Sequence, residues 1–335
     1  MNRRKLFIRL LSVTTAAVLC LASFPSGALA SAACPVELPC YFMTADFTGA
    51  DSAVLERLLG AWGFQYESPD GKWTDADAYE LGLFQRWAKL KPSGTVDNDT
   101  RFSLLSAYRQ YGQAVIPRQK LKLEGRYIGI NAGHQKKADS TKEKLSPEAK
   151  SPLKQKVSSG TQGRYTRVPE YKVNLAVALK LQARLEALGA RVLMARTTDD
   201  VRISNGERAR MMSDAGVDLM LSLHCDGNKR KTVYGLHTLI PANRGYQQGD
   251  VLKKSRLLAQ KIQAAAVKST GARNKGFSTR RDLTGFNWSS VPTCLVEMGY
   301  MTNKAEDKKL VTSAYQDKLA IGFVNGITAY FQDAG

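Results

Sequence analysis

The chain has 335 residues, 43% hydrophobic and 24% charged, which excludes a disordered polymer and leaves room for two domains with a sizeable core. Its formal charge of +19 suits an anionic polymer as partner. Beyond the first thirty residues no stretch is long and apolar enough to cross a membrane.

Residues 1–30 read as a signal peptide. Arg3, Arg4, Lys5 and Arg9 make a basic start, Leu10 to Phe24 is mostly apolar, and Ala28-Leu29-Ala30 offers small residues for cleavage after Ala30. The apolar run is short for a membrane anchor, and Ala17-Val18-Leu19 does not prepare Cys20 for lipid attachment. The mature chain is therefore expected to be exported. Removing the four basic residues leaves +15. Export argues against nucleic acid as the partner of this charge and favours anionic wall polymers or acidic lipid headgroups. In an exported protein Cys34 and Cys40, beside Pro35 and Pro39, are spaced to close a small loop. Cys225 and Cys294 read as buried free thiols.

Residues 31–49 form an irregular leader, and a helical pattern covers 50–110. Ser52 is placed to cap a helix whose apolar face is Val54, Leu55, Leu58, Leu59 and Trp62. Gly63 and Ser68-Pro69-Asp70-Gly71 break it. Thr74 to Asp77 opens a second helix that buries Tyr79, Leu83, Phe84 and Trp87. Ser93-Gly94 turns the chain, and Asp97 to Thr100 starts a third helix through Phe102, Leu104 and Leu105. The LERLLGAWGF run, the Asp70–Thr74 turn, the Phe84–Leu90 helix and Gly94-Thr95-Val96-Asp97 resemble the small three-helix peptidoglycan-binding domain. That resemblance implies wall binding. Residues 111–126 read as a basic linker.

The rest, 127–335, alternates strand and helix, and is expected to be an α/β domain with a mostly parallel sheet flanked by helices. Tyr127 to Ile130 is a short strand ending in Asn131-Ala132-Gly133-His134. Residues 135–168 lack apolar periodicity and read as a long functional or disordered loop. Glu170 begins a helix with Val173, Leu175, Ala176, Leu179, Leu181, Leu185 and Leu188 at helical spacing, closed by Gly189. Further strands are expected at 191–196, 217–223, 234–240 and 293–298. Further helices are expected at 204–215, with a Ser204–Glu207 capping box, and at about 252–267, 305–311 and 314–332.

Val217 to Leu223 is a buried strand that delivers His224 to the C-terminal edge of the sheet, where α/β proteins place their chemistry. His134 and Glu297 also emerge at strand ends, and Glu170 stands at a helix start. A hydrolytic zinc site needs three protein ligands and one open position for water. Two imidazoles and a carboxylate meet that need, and a second carboxylate can take a proton. His237, the third histidine, lies mid-strand and is the alternative to Glu170 in a three-histidine site. The stretch Arg281 to Asn287 reads either as a substrate-side loop or as a plain surface turn.

INAGHQ at 130–135, VPEYKVNLA at 168–176, SLHCDGN at 222–228 and VPTCLVEMGYMTN at 291–303 together resemble the zinc-dependent N-acetylmuramoyl-L-alanine amidases of bacterial cell walls. The resemblance covers the whole second domain. It implies a sheet flanked by helices, one bound Zn2+, and hydrolysis of the amide between muramic acid and the first alanine of peptidoglycan stem peptides. Carried over position by position, it makes His134, Glu170 and His224 the zinc ligands and Glu297 the catalytic general base and acid. Cys225 becomes a bystander. The family often has aspartate where Asn131 stands and glycine where Gln135 stands. An acid at 131 would orient His134, so Asn131 is expected to weaken metal affinity. The rival readings are a zinc peptidase acting within stem peptides, which the absence of short-spaced H-x-x-E and H-E-x-x-H patterns disfavours, and a non-catalytic wall-binding protein, which the retention of all four site residues disfavours.

Overall fold

The computed structural model describes residues 49–65, 68–242 and 249–334. The expected signal peptide, nearly all of the expected leader, and Cys34 and Cys40, expected to close a loop, lie outside them.

Three helices come first: α1 (Gly49–Trp62), α2 (Asp75–Trp87) and α3 (Asn98–Tyr111). Ser52 is not the cap of α1. The helix already runs from Gly49, and Ser52 is buried within it. Thr74 does cap α2, in a capping box with Asp77, and the Asp97 carboxylate caps α3 by accepting from the Thr100 amide at 2.8 Å. The rings of Trp62, Phe64, Phe84 and Trp87 pack together at centroid separations of 5.5–6.2 Å, supplying much of a small core. Phe102 of α3 is 68% exposed. Tyr79 donates to Gly189 O at 2.6 Å and accepts from the Gly125 amide at 2.8 Å, so α2 is fastened to the later chain at two points. Arg118 seals the connector by pairing with Glu124, stacking on Phe64 and donating to Gly63 O.

The sheet domain contains β1 (Tyr127–Ala132), β2 (Asp139–Lys144), β3 (Leu153–Val157), α4 (Glu170–Ala187), β4 (Arg191–Met194), α5 (Asn205–Asp214), β5 (Leu219–Asp226) and β6 (Leu236–Pro241). It continues with α6 (Gly249–Thr270), β7 (Asn274–Arg280), α7 (Thr284–Asn287), β8 (Thr293–Tyr300), α8 (Lys304–Leu310) and α9 (Ser313–Ala334). Among the described residues the main sheet has the order β4-β1-β5-β8-β6-β7. Every pairing is parallel except β6 with β8.

Strand alternation divides the domain into two faces. Leu219, Leu221, Leu223 and Cys225 of β5, with Cys294, Val296 and Met298 of β8, join Ile128 and Ile130 in one core with α4, α6 and α9. In α4 the buried stripe is Val173, Val177, Ala178, Leu181 and Leu185, and Leu179 points outward. On the other face Met220 packs with Met212 and Val217, while Ser222, His224, Leu295 and Glu297 line a pocket.

Residues 135–168 are not a structureless loop. β2 and β3 pair as an antiparallel hairpin. Their sequences, DSTKEK and LKQKV, have no apolar alternation because neither face is core. The hairpin is held by polar contacts: the Glu143 carboxylate accepts from the Gly206 amide at 3.1 Å, and Trp288 Nε1 donates to Lys144 O at 2.9 Å. β7, NKGFSTR, is an exposed edge strand and was illegible for the same reason.

Candidate metal centre

His134, Glu170 and His224 meet although 90 residues of chain separate the two histidines. One ligand atom from each lies within 4.8 Å of the other two, the one such group of three among the described residues. His224 comes from the end of β5. Glu170 is the first residue of α4, where the helix dipole favours a carboxylate. His134 comes just after β1 in a left-handed backbone conformation, φ +60°. That conformation is uncommon outside glycine and marks a constrained turn.

Glu170 is the hub. Its Oε1 lies 3.2 Å from His134 Nε2 and 3.1 Å from His224 Nδ1, and it accepts from the Cys225 amide at 3.0 Å and Asn174 Nδ2 at 3.2 Å. Its Oε2 accepts from the Thr161 amide at 2.7 Å. Burial works against ionisation here, but the hydrogen bonds from both histidines prevail and hold the carboxyl well below its ordinary range. Burial pushes His224 down toward the neutral form, the form that binds metals. The set of two imidazole nitrogens and one carboxylate oxygen therefore fits a zinc ion with an open coordination position.

Glu297 sits directly beside His224 in the β5–β8 register. Its Oε2 is buried without a hydrogen-bond partner, and burial, with the charges of Glu170 and Asp226, drives its carboxyl well above the usual range. Both residues line a pocket of about 310 Å³ on the open face of the sheet. The β3 residues Lys154 and Gln155 roof this pocket, Leu239 and Leu295 form its floor, and Leu283 to Phe286 close one side. The chemistry is thus laid on a sheet face, beyond the strand ends alone. The 281–287 stretch contributes α7 to the pocket wall.

His237 does not enter the metal cluster. It pairs with Glu297 across β6 and β8, stacks on Tyr300 at 5.8 Å, and its Nε2 lies 3.6 Å from Asp226 Oδ2. Cys225 is buried, and burial together with nearby carboxylates raises its thiol well above the usual value, which suits a bystander.

The geometry gives the Asn131 side chain partners other than the His134 ring. Its side chain bonds Ser222 Oγ at 3.2 Å and accepts from Arg208 at 3.0 Å. The partner of His134 Nδ1 is instead Ser158, through its carbonyl oxygen at 2.9 Å and its hydroxyl at 3.1 Å. Two buried arginines that pattern reading missed build the turn around His134. Arg208 donates to Ile203 O, Asn131 Oδ1, Ala132 O, His134 O and Gln135 Oε1, satisfying a complete guanidinium. Arg196 donates to Ala132 O, Gly133 O and Tyr171 O. A legible signal was the glycine before His134: a β-carbon on Gly133 would strike the His224 ring. At Gly160, φ +79°, a β-carbon would come within 2.6 Å of Glu170 Oε2.

The profile of the N-acetylmuramoyl-L-alanine amidase family matches residues 128–329, from β1 through most of α9 and leaving α1–α3 outside. An N-acetylmuramoyl-L-alanine amidase of Mycobacterium tuberculosis is 27% identical over 217 residues, 64% of this chain and 89% of that protein. The amidase LytC of Bacillus subtilis is 30% identical over 163 residues, 49% of this chain and 31% of that much longer protein. Among solved structures, an N-acetylmuramyl-L-alanine amidase of Mycobacterium abscessus superposes with a TM-score of 0.55 at 25% identity, covering 62% of this chain and all of that one. The site and the sheet that carries it lie within the matched span, and the chain belongs to the N-acetylmuramoyl-L-alanine amidase family.

Proposed function

We propose that this amidase is an exported zinc enzyme that hydrolyses the amide joining N-acetylmuramic acid to L-alanine in peptidoglycan. The convergence of His134, Glu170 and His224 beside a buried Glu297 carries the reading. These three residues would hold the zinc ion. When bound, zinc supplies Lewis acidity, polarising a carbonyl and making a water more acidic.

The chain's own groups do the rest. Ser158 fixes the His134 ring through Nδ1, and the Cys225, Asn174 and Thr161 donors fix the Glu170 carboxylate. Glu297 accepts the proton of the attacking water at Oε2 and returns it to the departing alanine amine. Its unpartnered oxygen and raised affinity for a proton suit both halves of that task. The hairpin lines the pocket with Lys154 and Gln155.

In this reading residues 50–110 are a wall-binding module joined through 111–126 to the catalytic domain of 127–335. Binding the insoluble polymer raises the local concentration of the enzyme on it. The basic surface favours anionic wall polymers as further partners. No helix of the described residues is long and apolar enough to cross a membrane.

The test is to incubate the mature protein with muropeptides, with and without a chelator, and to identify the new ends. A free lactyl carboxylate on muramic acid with a new alanine amine, lost on chelation, is expected. Cuts between two amino acids would indicate a peptidase. Wall binding without any cut would indicate a non-catalytic binder.

A further inference from the structure

Lys154 and Arg280 reach one end of the pocket from opposite sides, Lys154 from β3 in the roof and Arg280 from the last position of β7. Both converge on Asp282. The Arg280 guanidinium grips its carboxylate at two points, Nε to Oδ1 and Nη2 to Oδ2, each 2.7 Å. Lys154 Nζ lies 3.7 Å from Oδ2 and donates to the Asp282 carbonyl oxygen. Two cations share one acid, so the cluster keeps one positive charge in excess. The side chains of Lys154, Arg280 and Asp282 are 41%, 42% and 56% exposed. The bidentate grip shows the geometry in which these cations hold a carboxylate, and its exposure to solvent lets another carboxylate compete for it.

The position relative to Glu297 comes from the register. Glu297 faces His237, and Arg280 faces Pro241, four residues further along β6. At about 3.3 Å per residue, that offset is roughly 13 Å along the strand. The arginine side chain covers part of it, since Arg280 and Glu297 line the same pocket. Between the two ends the floor is Leu239 and Leu295, which offer nothing to a charge. An extended peptide advances about 3.3–3.6 Å per residue, so a chain with its first amide at Glu297 brings its second or third residue to the cations.

We propose that Lys154 and Arg280 form a carboxylate subsite for the peptide half of the substrate, selecting acyl-alanyl peptides with a free carboxylate on one of the two residues after the alanine. Asp282 occupies the subsite as a resident competitor. The proposal rests on the amidase reading of the same pocket.

The test uses the full chain and matched muropeptides that differ in carrying a carboxylate or a carboxamide at each of those two residues. The unaltered enzyme is expected to favour the carboxylate form at one position by about tenfold, expressed in KM, as a charge-assisted hydrogen bond implies. Arg280→Gln and Lys154→Met should each shrink that preference, with kcat changing less than KM. Asp282→Asn should enlarge it, because it frees both cations. A purely structural ion pair gives the opposite pattern, since Arg280→Gln and Asp282→Asn would then act alike. That result, or no preference at either position, overturns the subsite. If no muropeptide is cut at the muramoyl amide, the amidase reading fails first.

Discussion

The two faces of one sheet in this protein are built from the same strands and solve opposite problems. In β5, Leu221 and Leu223 turn into a dry core under α4, α6 and α9, while Ser222 and His224 turn into the pocket. The first face draws its stability from apolar burial, which needs only roughly matched shapes. The second face buries Glu297 and Arg208, and Glu170 is buried at the strand-end edge between the faces; each such group costs stability unless its polar atoms are met. Arg208 and Glu170 are fully met; Glu297 keeps one oxygen without a partner. The contrast places stability on one face and reactivity on the other, with the unmatched carboxylate oxygen of Glu297 at the reactive point.

Substitutions can break that contrast. The largest effect is expected on the polar face at Glu297→Gln, which should lower kcat by about 10²–10⁴-fold. Metal content and Tm should stay close to those of the unaltered protein, checked by metal analysis and thermal unfolding. Next comes Arg208→Met, which strands Asn131 Oδ1 and His134 O. It should cost about 4 kcal/mol in denaturant unfolding and weaken metal binding with it. On the apolar face, Leu221→Ala should cost about 3 kcal/mol, yet leave kcat per folded molecule unchanged. If Leu221→Ala instead removes activity at full stability, the division between the faces is wrong. The smallest effect is at Asn131→Asp. It should strengthen the contact with Arg208, yet change zinc affinity by less than about threefold, far below the loss seen when a true ligand-orienting partner is altered.

The same contrast explains what was legible in the sequence. The apolar face shows as periodicity in Val173 to Leu185 and in the β5 and β8 runs, so the α/β architecture could be read from pattern. His134, Glu170, His224 and Glu297 could be named because each sits where a strand ends or a helix starts, inside a family motif. The residues that support them could not. Arg208 looks like any charged residue on a helix, and only the fold shows that its helix side faces the His134 turn. Ser158 lies in a stretch without apolar signal and works partly through its backbone oxygen. β2, β3 and β7 lack a buried face, so they left no alternation to find. The misplaced cap at Ser52 shows the converse limit, since a plausible local residue type does not fix where the element starts.

The most direct test of the central claim is zinc content measured beside turnover in three purified forms: the unaltered chain, Glu297→Gln and His224→Ala. Three protein ligands predict one zinc per chain in the first two forms and none retained in His224→Ala, with turnover confined to the unaltered chain. Zinc held at full stoichiometry by His224→Ala, or turnover persisting in Glu297→Gln, would contradict the account.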